Sequence, residues 1–117
     1  MMWSDVIKVT EDDIKKGEPQ SSKFCAIALA VDRTIIKHLN NSSDLEPVVE
    51  EEGDMFIRNI KSGDVLYQLH TKSDQYSLIY SFIDDFDGGL EVEPIEFDFS
   101  LKKYGEEGKW RKERWLI

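Results

Sequence analysis

Cysteine occurs once in these 117 residues, proline three times and histidine twice. The lone Cys25 excludes an internal disulfide and a cysteine-built zinc site, and points to a reducing cytosol. No stretch of about 18 consecutive apolar residues is present, so no membrane-spanning helix is expected. The opening MMWSDVIKVT lacks a basic segment followed by an apolar one, and no secretory signal is expected. Catalytic signatures are also missing. There is no glycine-rich phosphate loop, no His-Glu-x-x-His and no Gly-x-Ser-x-Gly. His38 and His70 fall near predicted element ends, where a structural role suffices. Cys25 falls on the buried face of a predicted helix, where it serves as a small hydrophobe. No enzyme, metal or cofactor is therefore expected.

Positive charge is scarce, and it is concentrated. Lys and Arg number 15 against 24 Asp and Glu, a net charge of −9. Residues 102–117 hold six bases (Lys102, Lys103, Lys109, Arg111, Lys112, Arg114) and three acids (Glu106, Glu107, Glu113), a balance of +3. Residues 1–101 consequently carry −12. Such a body repels nucleic acid at long range, so duplex DNA is not an expected partner. The chain closes on KWRKERWLI, in which rings alternate with cations.

What is present suits a globular domain spanning 1–117, with 102–117 as a basic, aromatic C-terminal strand or arm. Apolar residues make up 40% of the chain. Asp5–Thr10 reads as a strand, and Thr10 with Asp13 forms a capping-box pattern that opens a short helix ending at Gly17. Phe24, Ile27, Ala28, Val31, Ile35 and Leu39 recur at helical spacing behind a Ser21 or Ser22 cap, which predicts a long buried helix. Three strand-like runs follow, around 47–50, 55–60 and 65–70, separated by glycine-bearing turns that suggest a meander. Thr71 with Asp74 repeats the capping pattern before a helix carrying Tyr76, Ile79, Tyr80, Ile83 and Phe86 on one face. Ile95–Leu101 alternates apolar and polar residues without a break, as a strand with one buried face does. The expected fold is α+β: two amphipathic helices and one short helix packed on a mainly antiparallel sheet.

Three candidate sites emerge. In the tail, Trp110 and Trp115 offer stacking faces and Arg111 and Arg114 offer phosphate clamps, the chemistry a nucleotide requires. The same residues also suit a terminal strand or a subunit contact. The acidic run EEEGD contributes Glu50, Glu51, Glu52 and Asp54, and IDDFDGG contributes Asp84, Asp85 and Asp87; together they offer an acidic surface to a protein partner. IDDFDGG is no calcium loop, because Ile83 and Pro94 occupy the first and twelfth ligand positions. Acids at a helix C-terminus each cost about 0.3–1 kcal/mol when exposed, so a cation from the tail is expected nearby. A third feature joins EEEGD with Glu91, Glu93, Glu96 and Asp98: Glu96 and Asp98 form part of a carboxylate row that could imitate a phosphate backbone and occupy a DNA-binding protein.

Two stretches, VTEDDIKKGEPQSSKFCAIALAVDR (9–33) and FIDDFDGGLEVEPIEFDFSL (82–101), resemble a loose group of short phage and prophage proteins. That group combines a Val-Thr strand end, an Ile-x-x-Gly turn, a Cys-x-Ile-Ala-Leu-Ala helix, an Asp-Gly turn and a Pro-x-x-Phe strand. Many members have Cys-Pro-Ile where this chain has Cys25-Ala26-Ile27. The group carries no settled activity, so the resemblance transfers no residue role. What it implies is a setting: a small binding protein acting against host defence in the host cytosol. It would sequester a signalling nucleotide or block a host protein, and the charged tail suggests a homo-oligomer. The alternatives are a small nucleotide- or nucleic-acid-processing enzyme using paired carboxylates, and a phage structural or assembly component.

Overall fold

The computed structural model describes residues 3–104, with Trp3 through its backbone alone. The elements run β1 (Trp3–Val9), α1 (Glu11–Lys16), α2 (Ala26–Thr34), β2 (Leu45–Val49), β3 (Met55–Asn59), β4 (Val65–His70), α3 (Ser73–Asp87) and β5 (Ile95–Lys103). Two short 3-10 turns, Ile36–His38 and Ser42–Asp44, lie between α2 and β2. The strands form one antiparallel sheet in the order β1-β5-β4-β3-β2. The fold is α+β, with two longer helices and a short one on an antiparallel sheet.

Period-2 alternation in the strands decides which face is covered. Ile7, Val9, Met55, Ile57, Leu69, Phe97, Phe99 and Leu101 turn inward and are buried. Ala26, Ile27, Ala28, Ala30 and Val31 of α2 join them in one cluster, with Ile79, Phe82, Ile83 and Phe86 of α3. Burying each large apolar side chain contributes about 1.5–3 kcal/mol, which makes this cluster the main stabilising element. The alanines of α2 let its backbone approach closely. A Cβ on Gly17 would lie 2.6 Å from the Ala26 nitrogen and 2.8 Å from the Asp13 carbonyl oxygen, so the α1–α2 junction admits only glycine without rearrangement.

Both sheet edges have some of their outward backbone groups already engaged. On β2, the Leu45 N–H donates to the Ser42 carbonyl, Pro47 has no N–H, and the Val49 N–H donates to the Ser22 carbonyl at 2.7 Å. On β1, the Val6 N–H donates to the Asp5 carboxylate at 2.8 Å and the Lys8 carbonyl accepts from Arg33 at 2.8 Å. Engaged edges of this kind disfavour pairing with a foreign strand. Where β4 stops short of β5, Gln75 Oε1 accepts the Asp98 N–H at 2.9 Å and continues the ladder with a side chain.

The capping box at Thr10 forms as its pattern predicts. Asp13 N–H donates to Thr10 Oγ1 at 3.2 Å, and Thr10 N–H donates to the Asp13 carboxylate at 2.9 Å. Asp13 is 3% exposed and receives Arg33 through two bonds of 2.6 and 2.9 Å. Burial pushes the Asp13 carboxyl up, but Arg33 and Thr10 more than offset that and hold it below its ordinary value.

Two expectations about helix starts fail. The long helix begins at Ala26 with Cys25 as its N-cap, later than Ser21 or Ser22. Ser21 Oγ accepts the Phe24 N–H and the Ser22 carbonyl is committed to β2, so this segment forms a turn and leaves Phe24 57% exposed. Likewise, Lys72 caps α3 without a side-chain bond, and the Thr71–Asp74 pattern goes unused. His70 is still paired with Ser100 in the sheet, which keeps the chain extended up to that point.

Candidate functional site

Three segments distant in sequence meet beside the last turns of α3. The first is the β2–β3 turn. Its Glu50 N–H donates to the Asp54 carbonyl at 2.8 Å, and Gly53 adopts φ 99°, a left-handed conformation that favours glycine. A Cβ on Gly53 would reach Tyr76 and Ile79 of α3 at 3.6 and 3.7 Å, and the Tyr76 hydroxyl donates to the Glu52 carbonyl, so this turn is fastened to the helix. The second segment precedes α2. Gln20, also left-handed at φ 62°, donates its N–H to the Asp87 carboxylate at 2.7 Å and its Nε2 to the Asp87 carbonyl at 3.3 Å. The third is the end of α3 itself.

Between them lies a cleft of about 380 Å³. Cys25, Ile27, Val49, Phe82, Ile83 and Phe86 form its apolar lining, with Phe82 and Phe86 stacked at a centroid distance of 5.9 Å. Glu50, Glu51, Glu52 and Asp87 stand around it. A shallow continuation adds Tyr80 and Asp84. The two acidic runs, about thirty positions apart in the chain, thus supply opposite sides of one depression. Asp54 and Asp85 do not line it: both are half-buried, the Asp54 carbonyl accepting from Glu50 and the Asp85 carbonyl from Leu90.

The site is electronegative. The exposed Tyr76 phenol is held above its ordinary value by desolvation first, then by the charges of Asp54 and Glu52. Burial pushes the Cys25 thiol up; N–H groups of Ala28 and Ile27 oppose this and Asp87 reinforces it. Both burial and the raised value disfavour the thiolate, the nucleophilic form. Among the described residues, no group of three His, Cys, Asp or Glu side chains is placed to hold a metal ion.

Asp87 carries the dipole cost expected of an acid at a helix end, and the neutral Gln20 N–H offsets it. Trp110, Arg111, Arg114 and Trp115, the residues expected to bind a nucleotide, lie outside the described residues, as does the expected C-terminal strand or arm beyond Tyr104, whereas its first residues, Lys102 and Lys103, belong to β5. The carboxylate row on β5 is not continuous. Glu96 stands opposite Lys8, Asp98 lies 3.4 Å from Lys72, and Ser100 and Lys102 follow on the same face. A phosphate-like array is not formed there.

Gln20, Tyr76 and Tyr80 belong to the site but went unrecognised in the sequence. Gln20 falls between the helix stop at Gly17 and the Ser21 or Ser22 cap, where no pattern marks it. The tyrosines matched the apolar helix face, although both are exposed. Their phenol groups were the available signal, since a Tyr at a core boundary often points its hydroxyl outward.

Comparison with known protein families, curated proteins and solved structures finds no match. No helix among the described residues is long and apolar enough to cross a membrane.

Proposed function

We propose that this chain is a non-catalytic binding protein that acts in the cytosol by occupying a basic surface of a partner protein with its acid-edged cleft. The observation supporting this reading is the convergence of Glu50–Glu52 with Asp84 and Asp87 on one apolar-floored depression. Lys and Arg suit such a place, because their stems lie on apolar groups while their heads reach carboxylates. The resemblance to phage proteins suggests that the partner belongs to host defence. Nucleotide phosphates would be repelled by the same carboxylates. Sequestration of a nucleotide therefore rests on Trp110, Arg111, Arg114 and Trp115 alone.

The test is binding of amphipathic Lys- and Arg-rich peptides to the full chain, measured by calorimetry beside a panel of cyclic dinucleotides and ADP-ribose compounds. The expected result is peptide affinity that falls as salt rises and is lost in Glu51→Lys/Glu52→Lys, with no nucleotide binding. A nucleotide bound tightly and released intact on denaturation would overturn the reading, as would conversion of that nucleotide to product.

A further inference from the structure

We propose that the cleft is one half of a two-part docking surface for an extended partner segment. A cationic residue of that segment enters the cleft, and an apolar residue a few positions away seats in a neighbouring groove. This deepens the reading of the cleft as a receptor for basic protein surfaces and rests on it. The groove, of about 580 Å³, lies between α1 and the connection from α3 to β5. Ile14, Pro19, Phe86, Leu90 and Val92 give it an apolar lining. Ile14 and Val92 pack against the core, whereas Leu90 is 62% exposed, the most open large apolar side chain among the described residues. A lone exposed leucine on a loose loop would mean little. The turn that presents this one is bonded to the helix end: the Leu90 N–H donates to the Asp85 carbonyl at 2.9 Å, and the Gly89 N–H donates to the Phe86 carbonyl at 3.2 Å.

The two depressions are continuous. Phe86 lines both, and chain neighbours divide at the Gln20–Asp87 clasp: Pro19 and Gly89 line the groove, while Gln20 and Asp87 line the cleft. Because one ring forms a wall of each, residues about two to four positions apart, roughly 7–14 Å in an extended chain, suit the pair. Charge selects the same occupant in both places. Glu11, Glu91 and Glu93 line the groove with a single base, Lys15, so its border is negative like that of the cleft. A segment rich in Lys and Arg is drawn to both, whereas a second copy, with a net charge of −9, is repelled. The groove also supplies what the cleft lacks. Carboxylates attract any basic surface, but an apolar anchor a fixed distance away selects among them. Once the cation is seated, the second contact is intramolecular, so affinity rises without any change in the cleft.

The experiment titrates the full chain with acetylated peptides that join an Arg-Lys pair to a Leu-Leu pair through a variable glycine spacer, beside the same peptides with serine in place of leucine. Affinity is read by calorimetry and the sites by backbone amide NMR. At the best spacing the leucine peptide is expected to bind about tenfold more tightly than its serine counterpart, the gain of burying an anchor side chain. It should move the amides of Leu90 and Val92 together with those of Gln20 and Glu51. Leu90→Asn, a change at an exposed side chain, should remove most of that gain and leave the serine-peptide affinity unchanged. If serine peptides bind but leucine adds nothing at any spacing, or if the gain survives Leu90→Asn, this inference fails and the cleft reading stands. If no peptide binds, both fail. Undiminished leucine-peptide binding by Glu51→Lys/Glu52→Lys would show the groove acting without the cleft, against the proposal. A dimer mass in native mass spectrometry, with the Leu90 amide shifting on dilution, would assign the groove to a second copy and also overturn it.

Discussion

The α1 end of the molecule and the cleft end handle acidic side chains in opposite ways. At the α1 end, Asp13 is almost wholly buried and each of its oxygens is bonded, to Arg33 and to the Thr10 N–H. Arg33 extends the same network to the β1 edge through the Lys8 carbonyl. At the cleft end, Glu50, Glu51, Glu52 and Asp84 lie exposed on a turn and a helix terminus. The first arrangement stabilises the fold, since a buried charge is tolerated only when fully partnered. The second contributes little to folding and leaves its charge available to something that approaches from outside. Acidic composition alone therefore says nothing about role; burial separates the two.

Substitution can test that division. The largest effect is expected from Gly17→Ala, where the new methyl would press on the Ala26 backbone at the α1–α2 junction. A loss of about 3 kcal/mol in urea unfolding is anticipated. A loss below about 0.5 kcal/mol would show that the α1 end is not closely packed.

Asp13→Asn comes next, with about 2 kcal/mol expected because the Arg33 pair loses its charge while Arg33 itself stays half-exposed. The folded Asp13 carboxyl titrates below its unfolded value. Its contribution is thus present above about pH 4 and is lost as pH falls through the lower, folded value. The acid limb of a stability-against-pH curve should flatten in Asp13→Asn, and an unchanged limb would remove Asp13 as its source. Smallest is Glu51→Lys/Glu52→Lys. Stability should stay within about 0.5 kcal/mol of wild type, even though four units of charge change. A marked loss would mean that the cleft acids hold the fold and would erase the contrast.

Much of this architecture is legible from short-range patterns. The alternation in Ile95–Leu101 identifies β5, the Thr10–Asp13 pair identifies the start of α1, and the glycine-bearing turns identify the β2–β3–β4 meander. The Thr71–Asp74 pattern is equally good in sequence yet unused, because strand pairing at His70 takes precedence over the local cap. Phe24 fits the helical periodicity yet faces solvent, because the Ser22 carbonyl is claimed by β2, far along the chain. In both cases a long-range hydrogen bond outweighed a local preference.

The candidate site was legible only in pieces. Each acidic run stood out on its own, but nothing within reach of either could tell that they would share a cleft, or that Gln20 would bond Asp87. By itself the amino-acid order determined the kinds of element, their sequence and the inward faces of the strands, since these depend on contacts spanning a few residues. The tertiary structure decided which acid is buried against Arg33 and which acids gather around an apolar hollow, since that depends on how distant segments pack once the core has formed.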